Sequence, residues 1–502
     1  MKETGIRRFS PEDEEKINRA YDALIKSYVE SPHRKKVEKV ARAFRFARSA
    51  HQDTRRNDGS PYILHPLAVA MICSHELGLG STSIVCALLH DIVEHSSMTL
   101  DDIESNFGQH IASIVGGINK LSGGIFGFAA ETQATKLRDM MMSMSTDVRV
   151  ILVKMADRLH NLRNISTQRE ERQHRVARES LYVYAPLAER LGLFTMKSEF
   201  ENLAFQTENP QAYAMIRQKL DQTVEQRQTI EQEFVDPLRK RLDEAGITYE
   251  IKARVKSAYS IYRKMVKKKI PFEEIYDIYA VRVIYENDDD TMEEALARKI
   301  AGILEEDYNV HPGRTRDWLK TPKDNGYRAL HLTLQNRQTG RWTEVQIRSR
   351  KMDDIAELGY AAHWKYKDGV QSDTEKLDKL VNEVKEILAN PEPDAMDFLA
   401  TLRFNILAKQ IYVFTPKGDL IGLPSGATVL DMAYAIHSDI GNHCIGGKIN
   451  HKLFSPDHEL ESGDLVEIIT VGCVAPERSW LAMCKTAHAR NIIKKQTANM
   501  TV

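Results

Sequence analysis

The hydrophobic periodicity of this chain changes at about residue 245, and this change constrains the fold more than any other feature. Before it, apolar residues recur at helical spacing, as in 35–50 and 147–163. After it, segments such as 276–285 and 341–347 are rich in β-branched and aromatic residues or alternate between apolar and polar ones, as strands do. A chain of 502 residues with this pattern predicts several domains, an all-α domain first and an α+β domain after it.

Composition excludes several classes of protein. Lys and Arg total 70 and Asp and Glu total 71, so the formal net charge is −1 and any charge asymmetry must be local. No apolar run approaches the roughly 18 residues that a membrane span needs, and the start of the chain has no apolar signal segment. The five cysteines are scattered and include no CxxC pair, which fits a reducing compartment. We therefore expect a cytoplasmic protein with no membrane partner.

The helical part contains histidines and acids of the kind that bind a divalent metal. Residues 81–93 are apolar nearly all round, which predicts a buried helix, and they include the doublet His90–Asp91. Such a doublet is costly to bury unless something satisfies it, and imidazole with carboxylate suits Mn, Fe or Zn. The other candidates are His65, Glu94, His95 and Asp157. A single histidine of this kind is more often a satisfied core residue, but the set together favours a metal site.

Two further stretches complete the helical part. Asp157, Asn161 and Asn164 follow the spacing i, i+4, i+7 and should share one helix face. That face would place a carboxylate ligand beside two amides able to hold a substrate or a water molecule. The glycine-rich segment 116–127 predicts a mobile loop.

The middle of the chain combines basic and acidic residues. Residues 251–270 include eight basic side chains and no acidic one, which attracts phosphates, although a solvated helix face or weak nucleic-acid binding gives the same pattern. Asp277 and Glu344 lie on predicted strands, and Glu344 shares its face with Gln346. In Mg-dependent phosphoryl transfer one carboxylate holds the metal and the other takes a proton. Tyr327 offers a ring for stacking on a base, and no GxxxxGKS loop is present.

The phrases HPLAVA, LLHDIVEH and KMADRLHNLRN resemble the HD-type hydrolase half of the long Rel/SpoT family. Its members make and destroy the alarmone (p)ppGpp. The resemblance implies a catalytic Mn ion whose ligands are His65, His90, Asp91 and Asp157. It further implies Glu94 and His95 as the catalytic pair and nucleotide contacts from Arg56, Asn161 and Asn164. His95 replaces a family acid and Asn164 a family threonine, and these replacements bear on the hydrolytic rate and its pH dependence, not on the metal site.

The phrases RVKSAYSIYRKM, IYDIYAVRVI, KDNGYRALH and EVQIRSRKMDDIAELGYAAHWKYK resemble the synthetase half, an α+β nucleotidyltransferase-like domain. Its reaction moves pyrophosphate from ATP to the 3′-hydroxyl of GDP or GTP. By this match Asp277 binds Mg, Glu344 activates the hydroxyl with help from Gln346, and Tyr327 stacks on guanine. The match places along the substrates Arg254, Lys256, Ser260, Lys264, Lys323, Asn325 and His331. The basic stretch 267–269 is similar to that of bifunctional members.

The phrase IYVFTPKGDLIGLPSGATVLDMAYAIH resembles a TGS domain, a β-grasp module. In long Rel enzymes this module touches the 3′ end of uncharged tRNA on the ribosome, and His437 matches the histidine that makes this contact. Without the resemblance, a lone histidine at a helix end is more often an ordinary polar residue. The sequence after it resembles the start of the family's helical regulatory domain. The zinc-finger-like and ACT-like domains that follow in the family have no counterpart here, so we expect a truncated chain.

The sequence therefore predicts a multidomain, bifunctional enzyme that makes (p)ppGpp from ATP and GDP or GTP and hydrolyses it. Two alternatives stay open: only one of the two sites is active, or the chain is a catalytically weak sensor that binds the ribosome and tRNA. The predicted domains are a hydrolase at 1–185, a synthetase with a helical connector at 186–375, a linker helix at 376–408, a TGS domain at 409–472 and the start of a regulatory domain at 473–502.

Overall fold

The computed structural model describes residues 9–31, 36–121, 130–222, 231–275, 278–287, 290–322, 327–358, 382, 384–385, 388, 410–416, 420–450, 452–461 and 463–498. They form two compact units. One comprises residues 1–88 and 156–370, and the other comprises residues 89–155 and 371–502. Within this described part of the chain, none of the helices combines the length and the apolar character that a membrane crossing needs.

The described residues up to 222 are mainly helical, as the periodicity predicts. The helices are α1 Pro11–Glu30, α2 Val37–Ala50, α3 Leu64–Met71, α4 Ser81–Leu89, α5 Ile92–His95, α6 Leu100–Phe107, α7 Gln109–Lys120, α8 Ala130–Thr146, α9 Arg149–Arg163, α10 Glu170–Glu179, α11 Ala185–Arg190, α12 Phe194–Glu208 and α13 Pro210–Gln222. Local sequence sets several starts: Ser10 with Asp13, and Thr99 with Asp102, form capping boxes that satisfy the first N–H groups of α1 and α6. A π-helical turn, Ser180–Tyr184, joins α10 to α11.

Two predictions about these helices need correction. The helix predicted over 81–93 is interrupted at His90–Asp91, between α4 and α5. The loop predicted over 116–127 is wrong at its start, because α7 continues to Lys120. A Cβ at Gly116 would lie 3.3 Å from Leu100 Cδ1, and one at Gly117 would lie 3.0 Å from Val150 Cγ2. These glycines therefore permit close side-chain packing within a helix, and residues 122–127 of the predicted loop lie outside the described residues.

A mixed sheet follows the helical part. Its strands are β1 Tyr249–Val255, β2 Tyr279–Tyr285, β3 Tyr308–Val310, β4 Arg316–Asp317, β5 Leu330–Asn336 and β6 Trp342–Ser349. Their order is β1-β2-β6-β5-β3, and β4 also pairs with β5. Only β2 and β6 are a parallel pair among these described strands. The associated helices are α14 Asp236–Glu244, α15 Ala258–Lys268, α16 Glu293–Asp307 and α17 Arg350–Leu358.

Alternation along the strands gives this sheet one apolar and one polar face. Val281, Val283, Val345 and Ile347 are buried in a core that also contains apolar residues of α14 and α16. On the other face, the strand register aligns side chains in two neighbouring rows that are polar except at Ala280: Arg254, Ala280, Glu344 and Thr333 in the first, and Lys252, Arg282, Gln346 and His331 in the second. The register therefore brings the predicted base Glu344 into line with the basic residues of β1 and β2.

The last part of the chain forms a small β-rich module. Its elements are β7 Gln410–Phe414, β8 Leu420–Pro424, α18 Val429–Ile436, α19 Ser438–Asn442, β9 Cys444–Ile449, β10 Lys452–Phe454, β11 Val466–Thr470 and α20 Ala487–Ala498. The strands β10-β9-β11 form one sheet and β7-β8 another. Ala489 and Ile493 of α20 are buried in the same core as Val429 and Met432 of α18. The segment after residue 472 therefore packs onto this module, and the predicted domain bounds stay predictions.

Candidate active sites

A buried histidine–carboxylate pair lies in the first unit. His65 belongs to the first turn of α3, and Pro66 is tolerated there because the first N–H groups of a helix have no intrahelical partner. His65 Nε2 lies 3.2 Å from Asp157 Oδ1, and both side chains are more than nine-tenths buried. This pair offers one imidazole nitrogen and one carboxylate oxygen side by side in a place shielded from water.

Hydrogen bonds from α9 hold this pair. Asn161 Nδ2 donates to Asp157 Oδ1 at 2.6 Å, as the i, i+4 spacing predicts. Asn164 lies just beyond the last residue of α9, and its amide donates instead to the backbone carbonyl of His160 at 2.8 Å. Asn161 thus contacts Asp157, and Asn164 contacts His160 of the same helix.

His160, which was not among the predicted site residues, contacts His65 directly. The two Nδ1 atoms are 2.8 Å apart. Burial, with the charges of His65 and Arg56, lowers the pKa of His160 to about 3, so this ring is neutral at physiological pH. The spacing i, i+3 between Asp157 and His160 could have predicted that His160 lies near the site, because it places both residues on one side of α9.

Arg56 lies in a loop that is fastened at its base. Its backbone N–H donates to the Ser60 carbonyl at 2.9 Å. The neighbouring Arg55 forms an ion pair with Asp13 of α1 at 2.7 Å. Arg56 is half-buried, and its positive charge contributes to the low pKa of His160. The guanidinium therefore affects the electrostatics beside the His65–Asp157 pair.

The other histidine–aspartate doublet belongs to the second unit. His90 is buried, and its Nε2 lies 3.1 Å from Asp91 Oδ1. Asp91, Glu94 and His95 form a group in which one ligand atom from each lies within 4.8 Å of the others. Glu94 and His95 are exposed, whereas Asp91 is buried. The break between α4 and α5 therefore leaves the predicted catalytic pair beside Asp91 and open to solvent.

Glu344 of β6 lies on the polar face of the mixed sheet. Gln346 Nε2 donates to Glu344 Oε1 at 2.8 Å, and His331 Nδ1 lies 3.6 Å from the same oxygen. The Tyr327 hydroxyl and His331 Nε2 are 2.8 Å apart. Burial raises the pKa of the Tyr327 phenol, although Arg348, Arg282 and Arg254 oppose this shift. Four predicted site residues are thus brought together, while Asp277, Lys323 and Asn325 lie outside the described residues.

Four of the predicted substrate contacts, Arg254, Lys256, Ser260 and Lys264, lie on β1, α15 and the turn between them. Arg254 is an exposed residue of β1. The Lys256 backbone N–H donates to the Ile278 carbonyl at 2.8 Å. Ser257 caps α15, its hydroxyl accepting from the Ser260 N–H at 3.3 Å and lying 2.9 Å from the Ser260 hydroxyl. Lys264 is half-buried on α15.

A buried charge cluster on the same face was not predicted. Arg282 Nη1 donates to Glu357 Oε1 at 2.8 Å and lies 3.3 Å from Asp353 Oδ1. Arg348, which is 1% exposed at its side chain, pairs with the same two acids. Although burial favours the neutral acid, a hydrogen bond from the Thr195 hydroxyl and the charges of Arg282 and Arg348 hold the pKa of Glu357 below its usual range. This cluster joins α12 and α17 to β2 and β6.

In the small module, His437 separates α18 from α19 and is exposed. Its Nδ1 accepts a hydrogen bond from the Asp439 N–H at 3.2 Å, so it serves as the N-cap of α19. This hydrogen bond fixes the imidazole ring through one of its two nitrogens, Nδ1. This cap is the ordinary structural role that a lone histidine at a helix end can have.

Three family models match this chain. A model described as HD domain matches residues 43–194, one described as a region found in RelA / SpoT proteins matches residues 253–371, and one described as TGS domain matches residues 411–470.

Curated relatives match over nearly the whole chain. The bifunctional (p)ppGpp synthase/hydrolase SpoT of Escherichia coli K12 is 37% identical over 479 residues, which cover 95% of this chain and 67% of the relative. The GTP pyrophosphokinase of Myxococcus xanthus is 39% identical over 471 residues, which cover 91% of this chain and 60% of the relative. A solved structure, the small alarmone synthetase 1 from Bacillus subtilis bound to pppGpp, matches 34% of this chain and 92% of its own at 24% identity, with a TM-score of 0.24.

Proposed function

Because this chain belongs to the RelA/SpoT family, we propose that its helical part hydrolyses (p)ppGpp and that its mixed-sheet part makes it. The chain is a bifunctional alarmone enzyme, a GTP pyrophosphokinase and a guanosine-3′,5′-bis(diphosphate) 3′-pyrophosphohydrolase. One observation carries the assignment of residues. In each matched region a side-chain amide donates to a proposed site carboxylate: Asn161 to the proposed metal ligand Asp157 at 2.6 Å, and Gln346 to the proposed base Glu344 at 2.8 Å.

The HD domain implies dependence on a divalent metal. We assign Mn²⁺ to four ligands, His65, His90, Asp91 and Asp157. The donor set fits, because these imidazoles and carboxylates suit a first-row divalent ion and because His65, His90 and Asp157 are buried. When bound, the ion supplies positive charge that polarises phosphoryl oxygens and activates water.

In hydrolysis, this chain's own residues orient the substrate and move a proton. Asn161 keeps Asp157 in one orientation. Arg56, Asn161 and Asn164 are the proposed contacts with the nucleotide. The exposed Glu94 takes a proton from the attacking water, and His95 stands beside it where it can relay that proton to solvent. The water oxygen forms a bond to the phosphorus as the bond from that phosphorus to the 3′-oxygen breaks, and the 3′-oxygen takes up a proton, which releases pyrophosphate and GDP or GTP.

In synthesis, Glu344 accepts the proton of the 3′-hydroxyl of GDP or GTP as that oxygen attacks the β-phosphorus of ATP, and AMP leaves. Gln346 and His331 keep the Glu344 carboxylate on the polar face of the sheet. Tyr327 stacks on the guanine. The phosphates lie along the basic side chains of Arg254, Lys256, Lys264 and Lys323, with Ser260 and Asn325 as polar contacts. We propose Asp277 as the Mg²⁺ ligand, and this assignment rests on the family resemblance alone.

The TGS module is the proposed contact with uncharged tRNA on the ribosome. Its exposed His437 is the residue we assign to the 3′ end of the tRNA. The Nδ1 cap on Asp439 supports this assignment, because it fixes the ring while the side chain stays accessible to solvent. We place both reactions in the cytoplasm, where ATP and GTP are available.

Separating the two reactions tests the function. The whole chain is incubated with ATP, GDP and Mg²⁺, and separately with ppGpp and Mn²⁺, and the nucleotides are followed by chromatography. Asp157→Ala should abolish hydrolysis and leave synthesis intact, and Glu344→Gln should do the reverse. Asp101→Ala, at an exposed acid in the first turn of α6, is the matched control and should leave both rates unchanged. Loss of both activities in either single variant would contradict the division between the two parts.

A further inference from the structure

The ring of Tyr327 contacts two aromatic side chains, His331 and Phe194, and the His331 ring lies edge-to-face to it with centroids 5.9 Å apart and planes at 78°. Tyr327 precedes β5, so its backbone is not fixed by strand pairing. Its hydroxyl lies 2.8 Å from His331 Nε2. Its ring packs against Phe194, the first residue of α12, with centroids 6.0 Å apart and planes at 79°, an edge-to-face arrangement. The orientation of this ring thus depends on a residue that comes from the helical connector, outside the synthetase motifs.

Hydrogen bonds through Glu357 join the start of α12 to the polar face of the sheet. Leu193, the N-cap residue of α12, makes no side-chain capping bond, so tertiary contacts fix this end of the helix. The Thr195 hydroxyl donates to Glu357 of α17. Glu357 in turn accepts from Arg282 of β2 at 2.8 Å. Phe194 is therefore placed against Tyr327 by the same contacts that join α12 to the sheet.

We propose that Phe194 is a positioning residue for the guanine nucleotide in the synthetase reaction, because it keeps the Tyr327 ring in the orientation that stacks on the base. This inference rests on the proposed function of Tyr327. His331 contacts the ring from β5, whereas Phe194 contacts it from α12, so the ring cannot turn about its contact with His331 without losing its contact with Phe194. Phe194 acts through Tyr327 and touches neither the reacting atoms nor the ATP phosphates.

The expected signature is selective for one substrate. Phe194→Leu keeps an apolar side chain but removes the edge-to-face contact. Edge-to-face pairs contribute enough to change an equilibrium by about 2- to 10-fold. The KM for GDP and GTP should therefore rise by about 2- to 10-fold, with the KM for ATP unchanged and kcat within about twofold of the parent. Phe194→Tyr, which restores a ring, should recover most of the lost affinity.

A double-mutant cycle tests the inference in the whole chain. Phe194→Leu, Tyr327→Ala and the double variant are compared by KM for GDP, KM for ATP and kcat of synthesis, with ppGpp hydrolysis as a check on folding. Phe200→Leu is the matched control, because Phe200 is on the same helix but packs on Tyr184, with centroids 6.2 Å apart. We expect Phe194→Leu to have no further effect in the Tyr327→Ala background.

The outcomes separate this inference from the function on which it rests. If Tyr327→Ala raises the KM for GDP but Phe194→Leu does not, or if the two effects add, the inference fails and the role of Tyr327 stands. If Phe200→Leu raises the KM for GDP as much as Phe194→Leu, the effect belongs to the packing of α12 and the inference also fails. If Tyr327→Ala leaves the KM for GDP unchanged, both the stacking role of Tyr327 and the inference fall.

Discussion

Asp431 joins the TGS module to the helical segment that follows it, and its removal should separate the two. Its carboxylate is 1% exposed. It accepts hydrogen bonds from the N–H and hydroxyl of Thr428, which form a capping box at the start of α18. It also accepts from the N–H groups of Lys485 and Thr486 and from the Thr486 hydroxyl, at 2.8–3.0 Å. The last three donors lie at the start of α20.

The structure sets the size of the effect of Asp431→Ala. Loss of the capping box alone costs about 1 kcal/mol. The N–H groups of Lys485 and Thr486 and the Thr486 hydroxyl would then lose the carboxylate that accepts their hydrogen bonds. Each buried donor left unsatisfied costs about 1–3 kcal/mol. These contributions are not additive, so we expect about 3–5 kcal/mol in total, similar to the loss of one partner of a buried charge pair. Most of this free energy should appear as opening of α20.

Hydrogen exchange measured by mass spectrometry on the whole chain reports this opening. Asp102→Ala is the matched control: Asp102 accepts from Thr99 in an equivalent but exposed capping box, at 2.8 and 2.9 Å. The control should destabilise α6 by about 1 kcal/mol and leave 486–498 unchanged. Asp431→Ala should instead lower the protection of amides 486–498 by about 30-fold or more, the equivalent of at least about 2 kcal/mol. Unchanged protection of 486–498 in Asp431→Ala would refute the reasoning that this carboxylate holds α20.

Three further outcomes follow from the candidate sites. Asp157→Asn should abolish Mn²⁺ binding, followed by electron paramagnetic resonance, because the carboxylate beside His65 is lost; tight Mn²⁺ binding in the variant would remove Asp157 from the ligands. Glu344→Gln should lower kcat of synthesis by about 10²–10⁴-fold with little change in the KM for GDP, and a near-normal rate would exclude Glu344 as the base. Because the folded pKa of Glu357 is lowered, its contribution to stability is present above the ordinary carboxyl pKa and is lost as pH falls through the folded value. Glu357→Gln should therefore flatten the loss of stability on acidification, measured by thermal unfolding at a series of pH values, and an unaltered profile would contradict this.

Periodicity predicted the class of each part of the chain but not every feature within it. The spacing of Asp157 and Asn161 predicted a contact that the structure confirms, because a helical turn brings i and i+4 together. The contact between His65 and His160 could not be predicted in the same way, since it joins residues far apart in sequence through the packing of two helices. The glycines at 116 and 117 misled for a related reason: their role lies in the side chains packed against them, Leu100 and Val150.

The polar face of the mixed sheet shows where such prediction ends. Alternation along β6 puts Glu344, Gln346 and Arg348 on one face, so the strand period alone does not distinguish the accessible acid from the buried arginine. Arg348 and Glu344 differ in how far α17, the helix that supplies Asp353 and Glu357, covers their side chains. The Arg348 side chain is 1% exposed and paired with these acids, whereas the Glu344 side chain is 28% exposed at the uncovered part of the strand. A period of two specifies the face of a side chain, but only the helix that covers the sheet decides which charges remain accessible to a nucleotide.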